Sequence, residues 1–331
     1  MHRLARQKCH PHSGQRFVAG GQNYEFSGSL GDGAVGIVRK ARNLRNDKIV
    51  AVKILAPDPK YIDVAAFDDV AQRFKREGIR GAHLKHENLV EIIAYEDNDD
   101  GSCFETRGVT APFIVMEYVG GHTLESLIKR MAASKQQGTA QMTKQTLFIA
   151  SRISAALSYL HERRVIHRDV KPANVFLSAS TLGNTPSVVK LGDFGVTKWG
   201  DFLATAVSGS LTVTMQQGLG TLKYMSPEQA VRPKDVTVRS DMFSLGITLF
   251  ELFTGQILQS PHHVFEIMSA RASRDGTMGK LLALGVKCPD QYVAIFEVIL
   301  DMFLTSPKSR PTSSTVAGRM LFSLERFSSV E

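Results

Sequence analysis

Cysteine is nearly missing from this chain: there are three in 331 residues, Cys9, Cys103 and Cys288, far apart and with no CxxC pair. That spacing supports neither a disulfide framework nor a zinc ribbon, and it suits a reducing compartment, so a cytoplasmic location is expected. Long apolar runs are missing too. Nothing reaches the roughly 18 consecutive apolar residues of a membrane-spanning helix. The greasiest stretch, Met242 to Phe253, is interrupted by Ser244, Gly246, Thr248 and Glu251 and reads as a buried helix. Met1 to Phe17 carries cations but no apolar core of a signal peptide. No basic run is interleaved with aromatics, so nucleic acid is a poor candidate for a partner. The excess of 40 Lys and Arg over 32 Asp and Glu, formally +8, fits a surface bias or a phosphate-rich ligand instead.

The composition that remains, 43% hydrophobic and 22% charged, is ordinary for a globular chain long enough for two lobes. Residues 1–23 are rich in Arg, Gln, Gly and His with little periodicity and read as a disordered basic arm. Cys9-His10-Pro11-His12 lacks a second ligand pair at a zinc-site spacing and reads as part of that solvated tail. Tyr24 to Arg42, Ile49 to Leu55, Leu89 to Tyr95 and Phe113 to Tyr118 have strand character, with a helix over Val64 to Leu84. The polar Asn98-Asp99-Asp100-Gly101 is a loop between the last two strands. Beyond Gly120-Gly121 helical spacing dominates, over Leu124 to Ala133, Thr143 to Glu162, Asp241 to Leu252, Val264 to Arg271 and Tyr292 to Phe303. The expectation is an α+β protein with two lobes joined near Met116 to Gly121, a β-rich one over 24–119 with one main helix and a larger helical one over 120–331.

The octapeptide His167-Arg168-Asp169-Val170-Lys171-Pro172-Ala173-Asn174 sets a carboxylate, an ammonium and an amide oxygen at fixed offsets in one short loop. This is equipment for phosphoryl transfer: a base for the attacking hydroxyl, a cation for the migrating group and a ligand for a hard metal ion. Asp193-Phe194-Gly195 adds a second oxygen ligand. Gly31-Asp32-Gly33-Ala34-Val35-Gly36-Ile37-Val38 fits GxGxxGxV, whose glycines let backbone N–H groups approach phosphate. Such a motif also opens dinucleotide-binding helices, but Ile37 to Ala41 continues as strand. Val50-Ala51-Val52-Lys53 follows, and a half-buried lysine there needs a partner, for which Glu77 on the next helix is the best candidate.

In this order the motifs resemble eukaryotic-type serine/threonine protein kinases over about residues 24 to 325. Arg73-Phe74-Lys75-Arg76-Glu77 and the small Gly81 resemble the bacterial members. The resemblance implies a bilobal kinase-like fold that uses ATP with Mg2+ or Mn2+ to phosphorylate protein substrates. It assigns Asp169 as base, Lys171 to the transferred phosphoryl group, the Lys53–Glu77 pair to the phosphates, and Asn174 and Asp193 to the metal. Leu30, Gly31, Gly33, Gly36, Val38, Ala51, Met116, Glu117, Val119 and Phe176 would surround the nucleotide, although plain core packing accounts equally well for Val38, Ala51 and Phe176.

Further roles come with the resemblance. His167 would pack on Phe194, Asp241 would brace the catalytic loop, and Glu228 would pair with Arg310. Lys171 with Thr221 points to serine/threonine rather than tyrosine chemistry. The segment from Asp193 to Glu228 carries Thr205, Ser208, Ser210, Thr212 and Thr214, with Arg168 ready to bind a phosphate among them, so autophosphorylation is expected. Val35 stands where an aromatic is common, and Gly81 offers the Glu77 helix little to pack with, so docking of that helix, for instance by homodimerisation, is expected to control activity. A nucleotide-binding scaffold without catalysis and a small-molecule phosphotransferase of similar fold are the rival readings.

Overall fold

The computed structural model describes residues 12–33, 35–56, 67–97, 111–134, 140–179, 181–193, 223–256 and 293–328. The chain divides into two compact units that part between Tyr118 and Val119. The helix expected over Val264 to Arg271, the loop at Asn98 to Gly101 and the stretch from Phe194 to Leu222 lie outside the described residues.

Among the described residues the first unit is an antiparallel six-stranded sheet with one helix. Its strands, β1 (Arg16–Ala19), β2 (Gln22–Asp32), β3 (Gly36–Asn43), β4 (Ile49–Leu55), β5 (Ile92–Glu96) and β6 (Phe113–Glu117), lie in the order β1-β2-β3-β4-β6-β5, and the helix is α1 (Phe67–Gly81). Because successive strand residues point to opposite faces, Ile37, Val52, Ile54 and Val115 join Tyr24, Phe26 and Phe113 in an apolar core. Val38, Lys53 and Ile114 form one cross-strand row on the opposite face.

β1 corrects the expectation of a disordered arm through residue 23. Ala19 pairs with Gln22 across a two-residue turn in which Gly20 (φ 51) and Gly21 (φ 70) both take the left-handed backbone that such hairpins require. Phe17 turns inward and stacks on Phe26 at 4.6 Å and Tyr24 at 5.2 Å, with Phe113 edge-on at 5.6 Å. The Gly20 N–H donates to Glu96 Oε1 at 2.7 Å, tying the hairpin to β5. The polar composition of residues 2–23 concealed a short alternating Arg-Phe-Val-Ala run followed by Gly-Gly. Cys9 and its neighbours lie outside the described residues.

The second unit is built around α5 (Val238–Thr254), whose residues from Ser240 to Leu252 are all buried. A helix apolar on every side belongs in a core, and its three buried hydroxyls are satisfied: Ser240 donates to Glu228 Oε1 (2.8 Å), Ser244 to the Tyr224 carbonyl (2.7 Å) and Thr248 to that of Ser244 (3.0 Å). Thr237 and Ser240 form a capping box at its start, and Gly255 (φ 65) ends it. Around it lie α2 (Leu124–Ala133), α3 (Ala140–Glu162), α4 (Pro227–Val231), α6 (Val293–Asp301) and α7 (Ser313–Ser328). A small antiparallel sheet, β7 (Gly121–Thr123), β8 (Val175–Ser178) and β9 (Val189–Leu191), was not expected, its strands being too short for a period to register. It matters for the site, because β8 starts at the residue after Asn174 and β9 ends two residues before Asp193. Among the described residues no helix is long and apolar enough to cross a membrane.

Candidate active site

In the first unit the glycine-rich motif is the turn between β2 and β3. Gly33 donates to the Gly36 carbonyl at 2.8 Å, and a side chain at Gly36 would strike the Ile54 carbonyl of β4, so glycine is required there. Among the described residues nothing comes within 4 Å of a Cβ placed at Gly31. Arg39 holds the two limbs together, donating to Asp32 Oδ1 (2.8 Å) and Ser29 Oγ (3.0 Å). The strand register pairs Gly31 with Val38, Val38 with Lys53, and Ala51 with Met116, so these residues share one face of the sheet. Leu30 is exposed at the entrance to the loop.

Lys53 meets Glu77 of α1 at 2.8 Å, with side chains only 12% and 7% exposed. Such a pair is worth little net, but removing one partner strands a buried charge and costs about 3–5 kcal/mol. Phe74, one turn earlier, places its ring 5.9 Å from the Lys53 ammonium. The helix expected to be loosened by Gly81 is therefore seated, and its ion pair is made. At the end of β6, Glu117 gives its N–H to the Glu91 carbonyl at 2.8 Å.

In the second unit the catalytic loop hangs from Asp241 at the start of α5. Asp241 Oδ2 accepts from the His167 N–H (2.8 Å), Oδ1 accepts from the Arg168 N–H (2.7 Å), and His161 Nε2 lies 2.9 Å from Oδ2. These bonds hold a strained backbone, since Arg168 (φ 66) is left-handed without being glycine, at a cost of about 1–3 kcal/mol. Asp169 follows at 6% exposure. Its Oδ2 accepts from Asn174 Nδ2 at 2.8 Å, its Oδ1 lies 3.1 Å from Lys171 Nζ, and its carbonyl takes a second bond from Asn174.

His167 is buried outright. The Asp169 N–H points to its Nδ1 (3.3 Å) while Nε2 faces the Gly192 carbonyl (3.2 Å), which assigns the ring proton to Nε2. Burial holds its pKa below the ordinary value, outweighing the pull of Asp241, Asp169 and Asp193. It is a neutral scaffold group. Gly192 also donates to the Asn174 carbonyl at 2.9 Å, which brings the next residue, Asp193 (φ 58), alongside Asn174. Phe194, the expected stacking partner of His167, lies outside the described residues, as does Thr221.

The donor set fits a hard divalent cation. Asn174 gives its NH2 to Asp169, which leaves its Oδ1 as an oxygen donor, and Asp193 adds a carboxylate. Among the described residues no cluster of three or more His, Cys, Asp or Glu could hold a metal by itself. Two oxygens suffice for magnesium, which keeps several waters and shares phosphate oxygens.

The segment Lys223 to Gln229 is fixed beside this loop. Gln229 Nε2 donates to the Arg168 carbonyl (3.0 Å), and Lys223 Nζ and the Tyr224 hydroxyl both meet the buried Glu251 carboxylate at 2.7 Å. Burial and the neighbouring Glu251 charge keep the Tyr224 phenol protonated. Glu228 and Arg310 form a bidentate pair (2.6 and 2.9 Å). Burial alone would raise the Glu228 pKa, but bonds from Arg310 and Ser240 hold it below the usual carboxylate range. A small concavity of about 10 Å³ is lined by Arg168, Asp169, Val170, Tyr224, Met225, Gln229 and Ser244. The Lys223–Glu251–Tyr224 group escaped sequence reasoning, because Glu251 lies 28 and 27 positions from its two partners and nothing local pairs them.

A family model described as protein kinase domain matches residues 24–321. The chain belongs to the protein kinase family. Curated relatives of the kinase include the serine/threonine-protein kinase PknB of Mycobacterium leprae, 36% identical over 234 residues, and a probable PknB of Bifidobacterium longum, 36% identical over 242 residues. Those alignments cover 70% and 72% of this chain but 32% and 31% of the relatives, so the chain spans about a third of their length. The crystallised kinase domain of Mycobacterium tuberculosis PknI superposes with a TM-score of 0.61 at 22% identity, covering 95% of this chain and 99% of that one, which shows the shared fold. β1 lies outside the range the family model matches.

Proposed function

We propose that the kinase transfers the γ-phosphoryl group of ATP to serine and threonine hydroxyls of protein substrates. The observation that carries this reading is Asp169: one carboxylate oxygen is fixed by Asn174, the other is paired with Lys171, and the group stands in the wall of a concavity that also contains Tyr224, Met225 and Gln229. An acceptor hydroxyl placed there gives its proton toward Asp169 as it attacks, and Lys171 neutralises charge on the migrating group. Magnesium or manganese held by Asn174 and Asp193 would neutralise the phosphates. Lys53, kept in place by Glu77, orients the phosphates beneath the Gly31, Gly33 and Gly36 turn. Val38, Ala51 and Met116 on the Lys53 face, with Leu30, supply the apolar surface that the first unit offers adenine. With the Glu117 N–H engaged, the group it offers the base is its carbonyl.

The concavity beside an anchored Lys223 to Gln229 segment favours a protein acceptor over a small molecule, and the complete set of Lys53, Glu77, Asp169, Asn174 and Asp193 favours an enzyme over a scaffold. Thr205 to Thr214 are the proposed autophosphorylation sites and Arg168 their anchor. A second copy that stabilises the seat of α1 is the proposed regulatory partner, an idea resting on Gly81 in its last turn. The test is incubation with labelled ATP and magnesium, wild type against Asp169→Asn, with site mapping. Phosphoserine and phosphothreonine from the wild type alone are expected. Equal labelling of both proteins would overturn the role of Asp169, and labelling of neither would favour the scaffold.

A further inference from the structure

Helix α1 sits on the sheet through Phe74 and Gly78, and Gly78 is the residue after Glu77. A Cβ placed at Gly78 would lie 2.7 Å from Cγ and 2.8 Å from Cβ of Tyr95 on β5. Carbon atoms pack comfortably at about 3.5–4.0 Å; the tyrosine Cβ is fixed by the backbone, and Cγ leaves only if χ1 turns and carries the whole ring away. The far end is held as well. The Tyr95 hydroxyl donates to Asp97 Oδ2 (3.3 Å), Asp97 pairs with Lys75 of the same helix, and the ring packs against Phe74 at 6.3 Å. A glycine inside a helix is unfavourable relative to alanine, so packing, not helix propensity, accounts for this one.

The register connects this contact to the chemistry. Tyr95 pairs with Ile114, and Ile114 pairs with Lys53, so Tyr95 and Lys53 stand in one row across β5, β6 and β4. Consecutive residues of α1 touch the two ends of that row: Glu77 bonds Lys53 and Gly78 lies flush on Tyr95.

We propose that Gly78 is a positioning residue for the Lys53–Glu77 pair, its missing side chain setting the distance between α1 and β5 and so whether Glu77 reaches Lys53. This rests on the phosphate-orienting role given to that pair above. A methyl group at position 78 forces the helix back by about 1 Å to restore ordinary contact, and misplacement on that scale lowers turnover by up to about 100-fold.

The test compares wild type, Gly78→Ala, and Gly78→Ala combined with Tyr95→Gly, which removes the atoms the methyl would strike. Two readouts are taken: kcat/KM for ATP, and the rate at which Lys53 is acylated by an amine-reactive reagent, followed by mass spectrometry. Gly318→Ala is the control, a helical glycine with nothing within 4 Å of its Cβ position, expected to leave both unchanged. The single variant is expected to lose 10-fold to 100-fold in kcat/KM and to acylate faster at Lys53, and the double variant to recover at least tenfold of the lost activity and the slow acylation. Wild-type behaviour of Gly78→Ala, or a double variant no better than the single, overturns the proposal. If the single variant does not fold, a folded double variant with slow Lys53 acylation upholds it and an unfolded one overturns it. A wild type without phosphoryl transfer refutes the functional reading, while the acylation rates still decide the role of Gly78.

Discussion

The two units hold their functional groups with unequal firmness. In the second, Asp241 of α5, a helix buried from Ser240 to Leu252, takes two backbone N–H groups and His161, Asn174 takes Asp169 from two sides, and Gly192 closes the base of the loop. In the first, Glu77 meets Lys53 in an ion pair at 2.8 Å, on a helix whose described contacts with the sheet include Phe74, Gly78 and the Lys75–Asp97 pair. Many bonds around a strained loop fix one geometry. An ion pair carried between a helix and a sheet can be made or broken by a small displacement, so adjustment is expected at α1 and constancy around Asp241.

Substitutions test that contrast directly. The largest effect is expected for Asp169→Asn, which leaves the fold intact and lowers phosphoryl transfer by about 10²–10⁴-fold, the usual contribution of a general base; a loss below tenfold would contradict its role. Arg310→Met leaves the Glu228 carboxylate without its partner, and denaturant unfolding should show a loss of about 3–5 kcal/mol. Phe17→Ala removes an aromatic from the core of the first unit and is expected to cost about 3 kcal/mol. A negligible loss would mean that β1 is an ornament on the sheet.

Acidification gives the smallest effect. Glu228 has its native pKa lowered, so its contribution is complete above the unfolded-state value of about 4.3 and fades as pH falls through the lower native value. The acid limb of the stability curve should therefore be shallower in Glu228→Gln than in wild type. An unchanged limb would place the acid sensitivity elsewhere.

The sequence made the chemistry far more legible than the mechanics behind it. Motif order and spacing singled out Asp169, Lys171, Asn174, Asp193, Lys53 and Glu77 as candidates, because that signal is local; that Val38, Ala51 and Lys53 share one face emerges only from the strand register. β1 was misread since four residues of alternation are swamped by a polar neighbourhood. Gly78 was passed over because a helical glycine signals weakness until the strand beneath it is known, and attention fell on Gly81 instead. The Arg39–Asp32 clasp and the Lys223–Glu251–Tyr224 group depend on contacts across strands or between distant segments, which no periodicity encodes.

Amide hydrogen exchange resolved along the chain tests the central contrast most directly. The His167 and Arg168 amides, both bonded to Asp241, should exchange only as fast as the whole unit unfolds, whereas the α1 amides should open through a cheaper, separate step and gain protection when ATP and magnesium are added. If α1 is as slow as the catalytic loop, or if His167 and Arg168 exchange first, the division into a fixed half and an adjustable half is wrong.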